Sequence, residues 1–190
     1  MIQIASVGKL NPEPILPGNT ASTSRLLWIC AYVILMVLVA LRLPLTKQYL
    51  SERVPADVRA ELGDDRLLSL SITVGTVIFF LMYAVIMGLY LSLAALLDRR
   101  LVPGKVRMGR GLNVGVFFVI AMLATIPPNA FSVASGIVQP REVPGYWYYF
   151  PFMTALVLAV FRRHWLHFSL GKKVLIALSA LTLSAIVAIG

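Results

Sequence analysis

Ionisable residues are missing from every long apolar run of this sequence. Residues 26–41, 67–97, 112–126, 152–161 and 174–190 contain no Asp, Glu, Lys, Arg or His. Ionisable groups at membrane depth are the usual mark of proton relays and voltage sensors. The sequence therefore argues against a proton-coupled transporter that acts alone, and it excludes a voltage sensor.

Cysteine and histidine are also scarce. The single cysteine, Cys30, excludes an internal disulfide and a cysteine-based metal cluster. The only two histidines, His164 and His167, have no third ligand near them in the sequence, so no metal site is predicted. No GxSxG, HExxH or phosphate-binding loop motif occurs, and no residue pattern identifies a cofactor.

Hydrophobic residues make up 59% of the 190 residues, charged residues make up 13%, and the mean hydropathy is +0.85. A soluble domain is about half apolar and about a quarter charged. The composition therefore indicates a membrane protein with several spans. Its net charge of +9 would suit a nucleic-acid-binding protein, but the cations cluster at the ends of apolar runs. That distribution is the usual membrane-topology signal, so no nucleic-acid partner is expected.

The apolar runs predict an all-α membrane protein with five transmembrane helices, since about 20 apolar residues cross the hydrocarbon core. Residues 1–24 are predicted to be a flexible tail, and residues 25–190 a single transmembrane domain. The five predicted spans are Leu26–Leu43, Leu67–Leu97, Leu112–Ile126, a fourth that opens at Gly145 and ends at Phe161, and Val174–Gly190.

A short amphipathic helix is predicted between the first two spans, over Ser51–Gly63. Val54, Val58 and Leu62 recur every four residues there and form one apolar edge. Such an edge is typical of a helix that lies on the membrane surface.

The distribution of positive charge predicts the orientation. With the N-terminus cytoplasmic, segments 1–25, 98–112 and 162–173 face the cytoplasm and carry two, five and four of the 17 Lys and Arg residues. Cytoplasmic loops are enriched in Lys and Arg, so the N-terminus is predicted inside and the C-terminus outside. We expect these cations to contact anionic lipids: Arg99, Arg100, Lys105, Arg107, Arg110, Arg162 and Arg163.

Two adjacent prolines, Pro127 and Pro128, interrupt the third span. Helices usually stop before a proline, so a helix end at Ile126 is favoured over a kinked continuation. A kink would instead frame a ligand site or pathway between spans 2 and 3, with Tyr83, Tyr90 and Asn113 beside the two prolines.

Small residues on two spans predict close helix packing or a partner interface. Gly75 and Gly88 lie on span 2, and a stripe of small residues at helical spacing lies on span 5: Ala177, Ala180, Ser184 and Ala188. Four large aromatic residues, Tyr146, Trp147, Tyr148 and Tyr149, open span 4 and are predicted to form an interfacial belt. An alternative is that these rings stack on a sugar, a quinone or a lipid headgroup.

These features favour a non-catalytic subunit or accessory protein of a larger complex in the inner (plasma) membrane. Its expected partners are lipids and either other membrane subunits or further copies of the chain. One alternative is a small transporter or channel component for an apolar or lipid-like molecule. Another is an enzyme that works at the membrane interface with His164 and His167.

Overall fold

The structure is a computed structural model that describes residues 23–55, 65–102, 106–108, 112–139, 141 and 143–189. The described residues are almost all helical. In chain order the elements are α1 (Arg25–Glu52), α2 (Asp65–Leu101), β1 (Val106–Met108), β2 (Leu112–Val114), α3 (Val116–Ser135), α4 (Tyr146–Val160), α5 (Arg162–Trp165) and α6 (Leu170–Ile189).

The helical class is confirmed, and the chain is a multi-pass membrane protein. Four helices, α1, α2, α3 and α6, are long and apolar enough to cross a membrane. The predicted fourth span corresponds to α4, which is apolar but only 15 residues long. Residues 1–22 of the predicted tail and most of the predicted amphipathic helix lie outside the described residues. The last two residues of the predicted tail are described: Thr23 is buried, and Ser24 is the N-cap of α1. Ser51 and Glu52 of the predicted amphipathic helix belong to the end of α1.

Two helices continue through prolines at which the sequence predicted an end. Helix α1 runs past Pro44 to Glu52. Helix α3 includes both Pro127 and Pro128 and ends at Ser135, so the favoured helix end at Ile126 is wrong. Helix α3 stops at Gly136, whose φ of +70° is a left-handed conformation that glycine adopts without a steric penalty.

The start of the third span also differs from the prediction. Residues 112–114 form β2, which pairs antiparallel with β1, and the helix begins only at Val116. Most of this small strand pair lies in segment 98–112, which the charge distribution predicts on the cytoplasmic side. Because the backbone of Arg107 pairs with that of Asn113, Asn113 lies in the hairpin and not between the spans.

Helix α3 is the centre of the bundle. It packs against α1, α2, α4 and α6, and its buried side chains include Phe117, Ile120, Ala121 and Ala124. Helix α2 has 37 residues, and at 1.5 Å per residue it is about 55 Å long. It is therefore much longer than the hydrocarbon core of about 30 Å, and it must tilt or project.

The predicted orientation is testable by cysteine labelling in a Cys30→Ser background. Arg141 and Ser169 are both exposed, and they lie on opposite sides of the membrane in the predicted topology. An Arg141→Cys variant should react with an impermeant maleimide in intact cells, whereas Ser169→Cys should react only after permeabilisation. The reverse pattern would reject the N-inside orientation.

Candidate functional site

Two clusters of hydrogen-bonded polar side chains lie inside the bundle, one at each end of α3. The first surrounds Asp98, near the end of α2. Asp98 is buried, and its carboxylate accepts hydrogen bonds from the Thr23 hydroxyl (2.8 Å) and from the backbone N–H of Phe117 (3.1 Å). The Thr23 oxygen in turn accepts a hydrogen bond from the Gly115 N–H (2.9 Å).

The Asp98 cluster caps α3 from outside that helix. Gly115 stands at the N-cap position and has no side chain to accept the first free N–H groups. The carboxylate of Asp98 accepts one of them and lies at the positive end of the helix dipole. A β-carbon on Gly115 would be 1.7 Å from the Asp98 Oδ2 atom, so the close approach requires glycine.

The second cluster surrounds Arg42, at the opposite end of α3. Its guanidinium donates a hydrogen bond to the Asn129 side-chain oxygen (3.1 Å) and another to the Val138 carbonyl. Tyr83 and Tyr146 lie close enough to Arg42 to interact electrostatically with it. Arg42 therefore joins α1 to α3 and to the segment after α3.

The predicted pathway residues are partly brought together. Tyr83 lies beside Asn129, which directly follows Pro128, whereas Asn113 lies at the other end of α3. Tyr90 is seven residues after Tyr83 on α2 and is only 3% exposed, and its hydroxyl has no hydrogen-bond partner among the described residues. The Nε atom of Arg42 is buried without a partner there as well.

The proline break is bridged by an aromatic residue. Pro127 has no N–H, so the Leu123 carbonyl, four residues earlier, loses its helical hydrogen bond. The Tyr149 hydroxyl of α4 donates a 2.6 Å hydrogen bond to that carbonyl. The sequence pattern predicts Tyr149 only as part of the aromatic belt. The two prolines did indicate that such a residue is needed, because a carbonyl that proline frees inside a membrane requires a hydrogen-bond donor from another part of the chain.

The four belt residues divide into two groups. Trp147 and Tyr148 are 53% and 80% exposed, as a lipid-interface position requires. Tyr146 and Tyr149 are half-buried and pack against the core.

The small-residue stripe of α6 lies inside the bundle. Ala180, Ser184 and Ala188 are buried, and Ala177 is half-buried. The Ser184 and Thr154 hydroxyls are 2.5 Å apart and connect α6 to α4. This face is filled by the chain's own helices. Gly88 is also half-buried and faces the ring of Tyr32 on α1. Gly75 is exposed, and no atom of another described residue lies within 4 Å of the position of its missing β-carbon.

The remaining predicted residues lie at the surface or outside the described part. Arg99, Arg100, Arg162 and Arg163 are exposed, only the backbone of Arg107 is described, and Lys105 and Arg110 lie outside the described residues. The His164 ring packs beside Phe161, and the exposed His167 ring packs on Phe168 with 4.2 Å between centroids. Within the described ranges, no group of three metal-ligating side chains occurs.

No protein-family model, curated protein or solved structure matches the chain. Its function is therefore argued from its own residues.

The Tyr149 hydrogen bond predicts a coupling between two substitutions. Tyr149→Phe removes the donor and leaves the Leu123 carbonyl unpaired, so it should lower the free energy of unfolding by about 1–2 kcal/mol. Pro127→Ala supplies a backbone N–H for the same carbonyl. In a Pro127→Ala background the cost of Tyr149→Phe should therefore shrink. Reversible unfolding of all four proteins in detergent measures this cycle, and equal costs in both backgrounds would show that the hydrogen bond does not bridge the break.

Proposed function

We propose that the protein is a non-catalytic subunit or accessory protein of a larger complex in the inner (plasma) membrane. We further propose that the partner contacts the first half of α2, over residues 66–81. The observation that carries this proposal is the exposure of this segment, in which Thr76 is the only buried residue.

The use of the buried polar groups supports a structural role. Asp98 caps α3, Arg42 binds Asn129 and the Val138 carbonyl, Tyr149 bridges the proline break, and Thr154 bonds with Ser184. Each of these side chains connects one helix to another part of the fold.

One exposed face of α2 is suited to contact with another helix. Ser71 and Gly75 are four residues apart and both exposed, so they form a small-xxx-small pair on one side of the helix. Such pairs allow two helix backbones to approach closely in lipid, where van der Waals packing drives association. The comparable stripe on α6 is already covered by α4, which leaves the Ser71 and Gly75 face for a partner.

A pair of leucine substitutions tests this interface. Gly75→Leu should block close approach and lower partner retention about tenfold, a change of about 1.4 kcal/mol. Thr73→Leu is the matched control, because Thr73 is exposed at the same depth on the other side of the helix. Neither change should harm α2, since leucine is a good helix former and both positions are exposed.

The readout is native mass spectrometry of the complex extracted with its lipids. Stoichiometric chains should accompany the wild type and Thr73→Leu, but not Gly75→Leu. A functional protein that runs alone as a monomer would contradict the subunit proposal. Equal retention by the two variants would place the interface elsewhere.

A second candidate function is a small transporter or channel component for an apolar or lipid-like molecule. The observation that favours it is the row of polar side chains between α2 and α3. In space, the row runs from Tyr90 through Tyr83 to Asn129 and ends at Arg42. The Tyr90 hydroxyl has no hydrogen-bond partner among the described residues. An unpartnered buried hydroxyl costs about 1–3 kcal/mol, so a ligand that bonded it would recover that cost.

Tyr90→Phe separates transport from folding. Removing the unpartnered hydroxyl should leave the free energy of unfolding unchanged or raise it by about 1 kcal/mol. If the row is a pathway, the same variant should slow the movement of a fluorescent phosphatidylcholine across proteoliposome membranes. Wild-type protein that moves none of this probe, or a Tyr90→Phe variant as fast as wild type, would reject this candidate.

A further inference from the structure

A groove of about 410 Å³ lies between α1 and α2, on the outside of the bundle. Its size is within the range of about 300–1,000 Å³ that is usual for small-molecule sites. It is open along one side, so in a membrane it faces the lipid. Its walls are formed by Trp28, Ile29 and Tyr32 of α1 and by Gly88, Leu91, Ser92 and Ala95 of α2.

Two arginines lie at one end of this groove. Arg25 is the first residue of α1 and Arg99 is close to the last residue of α2, and both line the groove. Both side chains are exposed, and no hydrogen bond or ion pair holds either of them among the described residues. No described residue therefore competes for these two guanidinium groups, which can bind an anion that is attached to an apolar chain.

Gly88 and Tyr32 shape the groove. Gly88 has no side chain, and the Tyr32 ring lies 3.9 Å from the position that its β-carbon would occupy. The Tyr32 hydroxyl is turned away to the Ala84 carbonyl, to which it donates a 3.2 Å hydrogen bond. The Ser92 hydroxyl donates a 2.7 Å hydrogen bond to the Gly88 carbonyl of its own helix, so it has no proton left to donate to a ligand in the groove.

We propose that this groove binds one anionic glycerophospholipid, with its phosphate between Arg25 and Arg99 and an acyl chain along the apolar walls. Charge complementarity selects this occupant: guanidinium groups bind phosphate oxygens in bidentate pairs, and acyl chains match apolar walls. The proposal does not depend on the partner interface at Gly75, which lies on the other half of α2. In the predicted topology the lipid belongs to the cytoplasmic leaflet.

The test measures lipid selectivity in full-length protein. The protein is reconstituted in nanodiscs of phosphatidylcholine and phosphatidylglycerol, and native mass spectrometry then counts the lipids that stay bound. The wild type should retain one phosphatidylglycerol in preference to phosphatidylcholine. A basic side chain near anionic lipid is worth about fivefold in affinity, so Arg25→Gln with Arg99→Gln should reduce this preference about 25-fold.

Two further variants separate the groove from general surface charge. Arg162→Gln with Arg163→Gln removes two exposed cations on the same predicted side but outside the groove, and it should leave the preference intact. Ser92→Leu should fill the groove and weaken lipid retention without any change of charge.

Three results would overturn the proposal. The first is equal retention of the two lipids by the wild type. The second is an equal loss of preference in both arginine pairs, which would indicate diffuse surface attraction. The third is an unchanged preference in the Arg25 and Arg99 variant, which would mean that the preferred lipid binds elsewhere on the protein.

Discussion

The hydrogen bond from the Tyr149 hydroxyl to the Leu123 carbonyl satisfies a backbone group that Pro127 frees inside α3, the helix around which the bundle is built. Hydrocarbon offers no water to satisfy a backbone group that proline has freed. With this bond, α3 passes through Pro127 and Pro128 as one helix and reaches Ser135. Asn129 is thereby held in the bundle, where its side chain accepts a hydrogen bond from Arg42. Four other helices pack on α3, so the continuity of this helix determines where each of them lies.

Side chains of opposite charge contact the two ends of α3. At its N-terminus, the free N–H groups receive the carboxylate of Asp98. Past its C-terminus, the Val138 carbonyl receives the guanidinium of Arg42. Each charged group comes from a different helix, so each one fixes the position of its own helix against α3. Asp98 and Arg42 thus connect α2 and α1, respectively, to the two ends of α3.

The outer surface of the bundle is not uniform. Most of it carries large apolar side chains that suit lipid, such as Leu81 and Leu89 of α2. Helix α2 departs from this pattern at two places, the exposed small residues near Gly75 and the groove beside Gly88. Gly75 and Gly88 mark these two places, and small residues leave the helix backbone open to close approach. The two places lie on different halves of the long α2, Gly75 on the first half and Gly88 on the second.

The sequence alone determined the helical, multi-pass class and the approximate position of each apolar helix, because the length of an apolar run and the charges at its ends are local properties. Only the tertiary structure decided that α3 continues through its prolines, since the donor that permits this lies 26 residues away. In the sequence, Asp98 is a single acidic residue beside several basic ones. Its hydrogen-bond partner Thr23 is 75 residues away, so the sequence pattern does not reveal the pair. The stripe of small residues at Ser184 predicted close packing but did not identify the facing group. In the fold, that group is Thr154 of α4. Periodicity shows which face of a helix makes contact, but the three-dimensional arrangement decides which group meets it.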